Sequence, residues 1–129
     1  MKRREAREKA LQTLFQLENT ELTIEDAMSH VLDGKSDSFF EQLVIGTTEH
    51  IAQIDESLTS NLENWSLSRL PKIERTVLRL AVYELLFMKD APSKVIMNEA
   101  IELCKTFGDE KSSKFVNGVL SKYTDQPSS

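Results

Sequence analysis

Val77-Leu78-Arg79-Leu80-Ala81-Val82-Tyr83-Glu84-Leu85-Leu86-Phe87-Met88 carries charge only at Arg79 and Glu84. A helix this apolar is expected to be buried nearly all round, as a central element against which others pack. Upstream, Asn64-Trp65-Ser66-Leu67-Ser68-Arg69-Leu70-Pro71 breaks helical periodicity. Leu70 precedes a proline and is biased toward extended backbone, and Pro71 suits the first turn of a helix. Downstream, Asp90-Ala91-Pro92-Ser93 is expected to stop the run and cap the next helix.

Outward from this centre the pattern stays helical. Residues 94–107 place Met97, Ala100, Ile101, Cys104 and Phe107 on one face, with Gly108 to end the helix. Asp109 caps a last helix to about Tyr123, whose buried face is Val116, Val119, Leu120 and Tyr123. Toward the N-terminus, Phe39, Phe40, Leu43, Val44, Thr47, Ile51, Ile54, Leu58 and Leu62 keep one helical period. They predict a single long helix, for which Ser36-Asp37-Ser38 offers caps, running to about Asn61–Asn64. Thr23, with Asp26 three residues on, opens a helix that Gly34 closes. The first helix is expected from Lys2 to Glu18, with Ala6, Ala10, Leu14 and Leu17 as its stripe. The fold class is therefore all-α, one domain over 1–123 with a polar tail at 124–129. Four Gly and three Pro are too little punctuation for the turns of a β-sandwich or barrel.

No apolar run approaches the ~20 residues of a membrane span, and no hydrophobic signal core follows the basic start. One cysteine, Cys104, excludes an internal disulfide or cysteine-based zinc cluster and fits a reducing cytoplasm. His30 and His50 each stand alone among carboxylates, and Cys104 falls on an apolar stripe. No phosphate loop, metal-spaced His pair or nucleophile elbow appears. The expectation is a non-enzyme without cofactor or metal.

Charge is segregated. The net value is −5, but residues 1–15 carry +3, residues 16–66 carry −10 and residues 67–129 carry +2. Local potential governs how a phosphate chain docks, so an acidic protein divided this way can still bind RNA. Two helix faces combine a ring with cations. On the first helix, Phe15 lies off the predicted stripe and shares its side with Arg4, Glu8 and Leu11. On the last, Lys111, Phe115, Gly118 and Lys122 line a face beside the core, with Lys114 adjacent. Each ring has two readings, packing against a neighbouring helix or stacking a base while cations hold phosphate. The binding reading expects both helix ends to form one cationic strip with exposed rings.

Three strings carry a resemblance. Arg3-Arg4-Glu5-Ala6-Arg7-Glu8-Lys9-Ala10-Leu11-Gln12-Thr13-Leu14-Phe15 resembles the opening helix of the NusB family of bacterial transcription antitermination factors. Glu74-Arg75-Thr76-Val77-Leu78-Arg79-Leu80-Ala81-Val82-Tyr83-Glu84-Leu85 resembles that family's central helix. Lys94 to Gly108, followed by Lys114-Phe115-Val116-Asn117-Gly118-Val119-Leu120, resembles its C-terminal signature. The likeness covers about residues 2–123 and is weakest across 19–40.

The resemblance implies two perpendicular helical bundles of about seven helices, the extra one coming from near Trp65–Leu70. It implies binding of boxA RNA in ribosomal RNA leaders together with ribosomal protein S10, within an antitermination complex on RNA polymerase. Carried onto matching positions, the single-stranded RNA surface would comprise Arg3, Arg4, Arg7, Phe15, Lys111, Lys114 and Phe115. The S10 contact would fall at Arg69, Glu74, Arg75 and Arg79. Lys111 stands where relatives can carry an acidic residue, and Phe15 where some carry tyrosine, losing a hydroxyl hydrogen bond. Asn98, Glu99 and Asn117 are read as structural. The resemblance leaves monomer or homodimer open. Two other readings stand beside it, a protein-only helical scaffold and an RNA-binding accessory domain for an RNA methyltransferase. The chain ends without a cofactor-binding domain, so the free-standing factor is expected.

Overall fold

Helix-breaking and capping residues set the element boundaries in the computed structural model, which describes residues 1–18 and 21–124. Those residues form seven α-helices and no strand: α1 (Arg3–Glu18), α2 (Ile24–Leu32), α3 (Ser38–Glu49), α4 (Ile51–Asn61), α5 (Lys72–Tyr83), α6 (Ser93–Phe107) and α7 (Glu110–Thr124). A 3-10 turn at Leu67–Arg69 and a π-helical turn at Glu84–Met88 complete them. Among the described residues no helix is long and apolar enough to cross a membrane. Thr124 closes α7; the rest of the expected tail lies outside the described residues. The chain divides into two compact units, Met1–His50 and Ile51–Ser129.

In the first unit, α1 packs on α2 and α3. Thr23 Oγ1 accepts from the Asp26 amide at 3.1 Å, and Asp37 Oδ1 from the Phe40 amide at 2.9 Å, so both predicted N-caps form. The turn after α2 uses two left-handed residues, Asp33 (φ 52°) and Gly34 (φ 80°). Ala6, Ala10 and Leu11 on α1, Ala27 and Leu32 on α2, and Phe40, Leu43 and Val44 on α3 supply the core. The stripe expected on α1 is rotated. Leu11 is fully buried, whereas Leu14 and Leu17 are only half-buried.

The long helix expected across residues 36–64 is instead two. It breaks at His50, whose ψ of 17° leaves the helical range. The His50 amide and its ring Nδ1 both engage the Gly46 carbonyl, the ring at 2.9 Å. A side chain competing for the i−4 carbonyl is a recognised cause of such breaks. Hence the seventh helix comes from this interruption, and the Trp65–Leu70 segment supplies only the 3-10 turn.

In the second unit α5 is central, packed by α4, α6 and α7. Leu70 is extended (ψ 146°) before Pro71, as its position requires. Thr76, Val77, Leu78, Leu80, Ala81, Val82, Tyr83 and Glu84 are all buried. The enclosure ends sooner than expected. The chain closes in a π turn, Lys89 N donating to Glu84 O at 2.9 Å, and Leu86 and Phe87 come out 39% and 37% exposed. The π turn shifts these residues off the α-helical angular sequence that all-round burial requires. Another expected cap does not form, since Ser93 is the first residue of α6 and Pro92 holds the capping position without a side-chain bond. Asp109 does cap α7, accepting from the Ser112 amide at 2.8 Å.

Between α6 and α7, Gly108 donates its amide to Cys104 O at 2.8 Å. A Cβ at Gly108 would lie 2.9 Å from that same backbone oxygen, which cannot swing aside as a side chain would. Gly108→Ala is therefore expected to destabilise the protein by about 1–3 kcal/mol. Urea denaturation measures this, and a midpoint equal to wild type would refute it.

Candidate nucleic-acid interface

The first face is built on α1. Arg3 and Arg7 are one turn apart, and their guanidinium carbons stand 4.5 Å and 5.2 Å from the centroid of the Phe39 ring on α3. Ring electrons attract the cations and the ring covers their apolar stems, so both arginines are held in place. They differ in access. Arg3 and its neighbour Arg4 are exposed, but Arg7 is only 4% exposed. Phe15, near the other end of α1, is half-buried. The anchoring role of Phe39 was not legible in the sequence, where its position reads simply as part of an apolar helix face.

The second face is built on α7. Val116, Val119 and Leu120 are buried, which turns Lys111 and Lys114 outward and leaves Phe115 half-buried at the border. The Phe115 ring meets Trp65 edge to face, with centroids 5.6 Å apart and planes at 73°. Lys114 reaches Glu110 at 3.6 Å, with both side chains mostly in water, a pairing of small consequence. Lys122 donates to Asn61 O at 2.7 Å and lies 3.4 Å from Glu63. Phe115, Trp65, Gly118 and the two lysines Lys114 and Lys122 border an open cleft of about 250 Å³. Trp65 was missed by reasoning along helix faces because it lies outside any helix.

The four positions read as a protein contact cluster around the start of α5. Arg69 is exposed. Arg75 donates to Leu70 O at 3.0 Å, and Arg79 grips Asp55 on α4 through two bonds of 2.8 Å and 2.9 Å. Glu74 is buried at 7% exposure. Burial pushes its carboxyl above the ordinary value of 4.5; the Ser112 hydroxyl donates to it and opposes the shift, the Asp109 charge adds to it, and Lys111 opposes it. Burial likewise pushes the Cys104 thiol up to about 12, with the Glu74 and Asp109 charges adding to the shift. Cys104 is thus a protonated packing group. Among the described residues no group of three or more His, Cys, Asp or Glu could hold a metal ion.

A helical binding protein, with arginines, lysines and half-buried rings on helix surfaces, is the class these features define. Residues 4–125 match the model of the NusB family. A relative from Lysinibacillus sphaericus, called transcription antitermination protein NusB, is 67% identical over 126 residues, covering 98% of this chain and 99% of its own. The chain belongs to the NusB family, whose members are antitermination factors and not enzymes. Among solved structures, NusB of T. maritima superimposes with a TM-score of 0.88 at 40% identity, covering 98% of this chain and 92% of that one. A crystal structure of the antitermination factors NusB and NusE in complex with double-stranded RNA gives 0.83 at 32% identity, covering 94% of each chain.

The Glu74 environment has a consequence for stability. Its folded pKa is raised, so over a window above pH 4.5 the native state keeps a proton that the unfolded chain has released. Stability contributed by the neutral carboxyl is present below that window and is lost as pH rises through it. Glu74→Gln cannot ionise, so its stability relative to wild type should climb through the window and then level off. Urea midpoints measured from below pH 4.5 to neutrality check this, and a constant difference would contradict it.

Proposed function

We propose that this chain is a transcription antitermination factor that binds single-stranded boxA RNA of ribosomal RNA leaders jointly with ribosomal protein S10, within the antitermination complex on RNA polymerase in the cytoplasm. Residues 1–123 serve as one RNA-binding domain in this reading. The observation that carries it is the likeness, over 94% of both chains, to a NusB that was crystallised with NusE and double-stranded RNA; the single-stranded form is this reading's own addition. NusE is ribosomal protein S10. Arg3, Arg4, Lys111 and Lys114 neutralise phosphates, and Phe15 and Phe115 stack bases. Arg7, covered as it is, acts chiefly by fixing the end of α1 against Phe39. S10 docks around Arg69, Glu74, Arg75 and Arg79, with Arg69 the most accessible of the four and Glu74 shaping the helix beneath.

Phe115→Ala should weaken boxA binding by about 1–3 kcal/mol while leaving the helical circular-dichroism spectrum unchanged. The measurement is anisotropy of labelled single-stranded RNA with S10 present, and unchanged affinity would make Phe115 a packing residue only. Replacing both Arg3 and Arg4 with alanine spares the buried Arg7. It should reduce the slope of log affinity against log salt by roughly 0.7 for each phosphate no longer neutralised. An unaltered slope would remove α1 from the interface. Normal S10 binding with no retention of RNA at moderate salt would favour the protein-only scaffold.

A further inference from the structure

Trp65 is the one tryptophan in the sequence, and in the fold it is 57% exposed. Burying a ring of this size is strongly favourable, so a well-held but wet indole is the kind of group that interfaces use. It is well held. Asn64 before it adopts a left-handed conformation (φ 63°), and Ser66 after it is the N-cap of the 3-10 turn at Leu67–Arg69. The Phe115 ring meets it at 73°. Two rings so arranged form a corner, in which a third flat ring can lie against one wall and meet the other with its edge.

The corner opens onto the cleft of about 250 Å³ described above. Drug-sized ligands occupy pockets of about 300 Å³ or more, so this space suits one small planar group. Gly118 borders it, and a Cβ built there meets no atom within 4 Å, so the missing side chain leaves that border open. Lys114 and Lys122 flank the rings, each with one carboxylate in reach, Glu110 at 3.6 Å and Glu63 at 3.4 Å, both on exposed side chains that hold the lysines only weakly. A wet aromatic corner with cations beside it complements a base that carries phosphates on either side. A purely apolar partner side chain would gain nothing from the lysines.

We propose that Trp65 is a further RNA-contacting residue, stacking one unpaired nucleobase in the corner with Phe115 while Lys114 and Lys122 face the flanking phosphates. The inference rests on the RNA-binding reading above and adds to it a reason for selecting single strands. A base inside a duplex is already stacked on both faces and must be extruded before it can reach Trp65, at an energetic cost.

Because no other tryptophan is present, the indole emission of the intact chain reports on this corner alone. Single-stranded boxA RNA carrying a fluorescein label, and the same RNA annealed to its complement, are titrated while anisotropy records total binding and emission records the corner. The single strand should quench Trp65 emission in step with anisotropy, and the duplex should leave it nearly unchanged. With S10 present, Trp65→Ala should weaken single-strand binding about 5- to 150-fold, and Trp65→Phe should recover most of it. Duplex affinity should stay within about twofold for both variants, as expected when no base leaves the stack. RNA binding by anisotropy with unquenched Trp65, and Trp65→Ala binding like wild type, would overturn the role of Trp65 and leave the proposed function standing. Failure of both RNAs to bind, with and without S10, would overturn both. Should Trp65→Ala misfold, quenching in the wild type and the affinity of Trp65→Phe still decide.

Discussion

Helix α5 carries its charges at Lys72, Glu74, Arg75 and Arg79, but from Thr76 onward it is otherwise enclosed, and the second unit is arranged to satisfy that constraint. From Thr76 to Glu84 every residue except Arg79 is buried, and each fully buried valine or leucine is worth about 1.5–3 kcal/mol. A stretch so enclosed needs neighbours on several sides, and α4, α6 and α7 all pack against α5. The polar groups it takes inward need partners. Arg79 finds Asp55 through two bonds, and Glu74 receives the Ser112 hydroxyl. Leaving the covered Glu74 carboxyl without the Ser112 hydroxyl would leave a desolvated polar group unpaired, which makes that contact a constraint on sequence as well as on shape.

Enclosing α5 also sets what α7 can show. With Val116, Val119 and Leu120 turned inward, helical geometry leaves Lys111, Lys114 and Gly118 outside and Phe115 at the boundary. Phe115 is then braced by Trp65, so the ring is fixed without being sealed from water. On α1 the same principle operates through Phe39, which holds Arg3 and Arg7 in place. An interface made of residues already held in one conformation gives up less side-chain entropy on binding than one made of free lysines and arginines. The chain is acidic in sum, yet both of these faces carry cations beside a ring.

Much of this is legible along the chain. Short-range signals performed well. Thr23, Asp37 and Asp109 cap the helices they were expected to cap, and Leu70–Pro71 turns the chain where the dipeptide requires it. Apart from the cap expected at Ser93, the readings that failed depended on neighbours distant in sequence or on backbone detail. Ile51, Ile54 and Leu58 continue the apolar period of α3, so no pattern of hydrophobic residues could reveal the break that His50 makes at Gly46. Leu86 and Phe87 look like core by composition, but a π turn carries them outward. Arg7 looks like a surface cation until Phe39 is found lying against it.

The sequence by itself determined the class of fold, the family, the caps at Thr23, Asp37 and Asp109, and the face of α7 where Phe115 adjoins lysines. Those follow from periodicity and from hydrogen bonds spanning three or four residues, which the chain carries locally. Only the tertiary structure decided which cations are anchored, that Glu74 is buried against Ser112, and that Trp65 stands at the edge of Phe115. Such pairings join residues tens of positions apart. They exist only once burial of the apolar faces has chosen which helix packs against which.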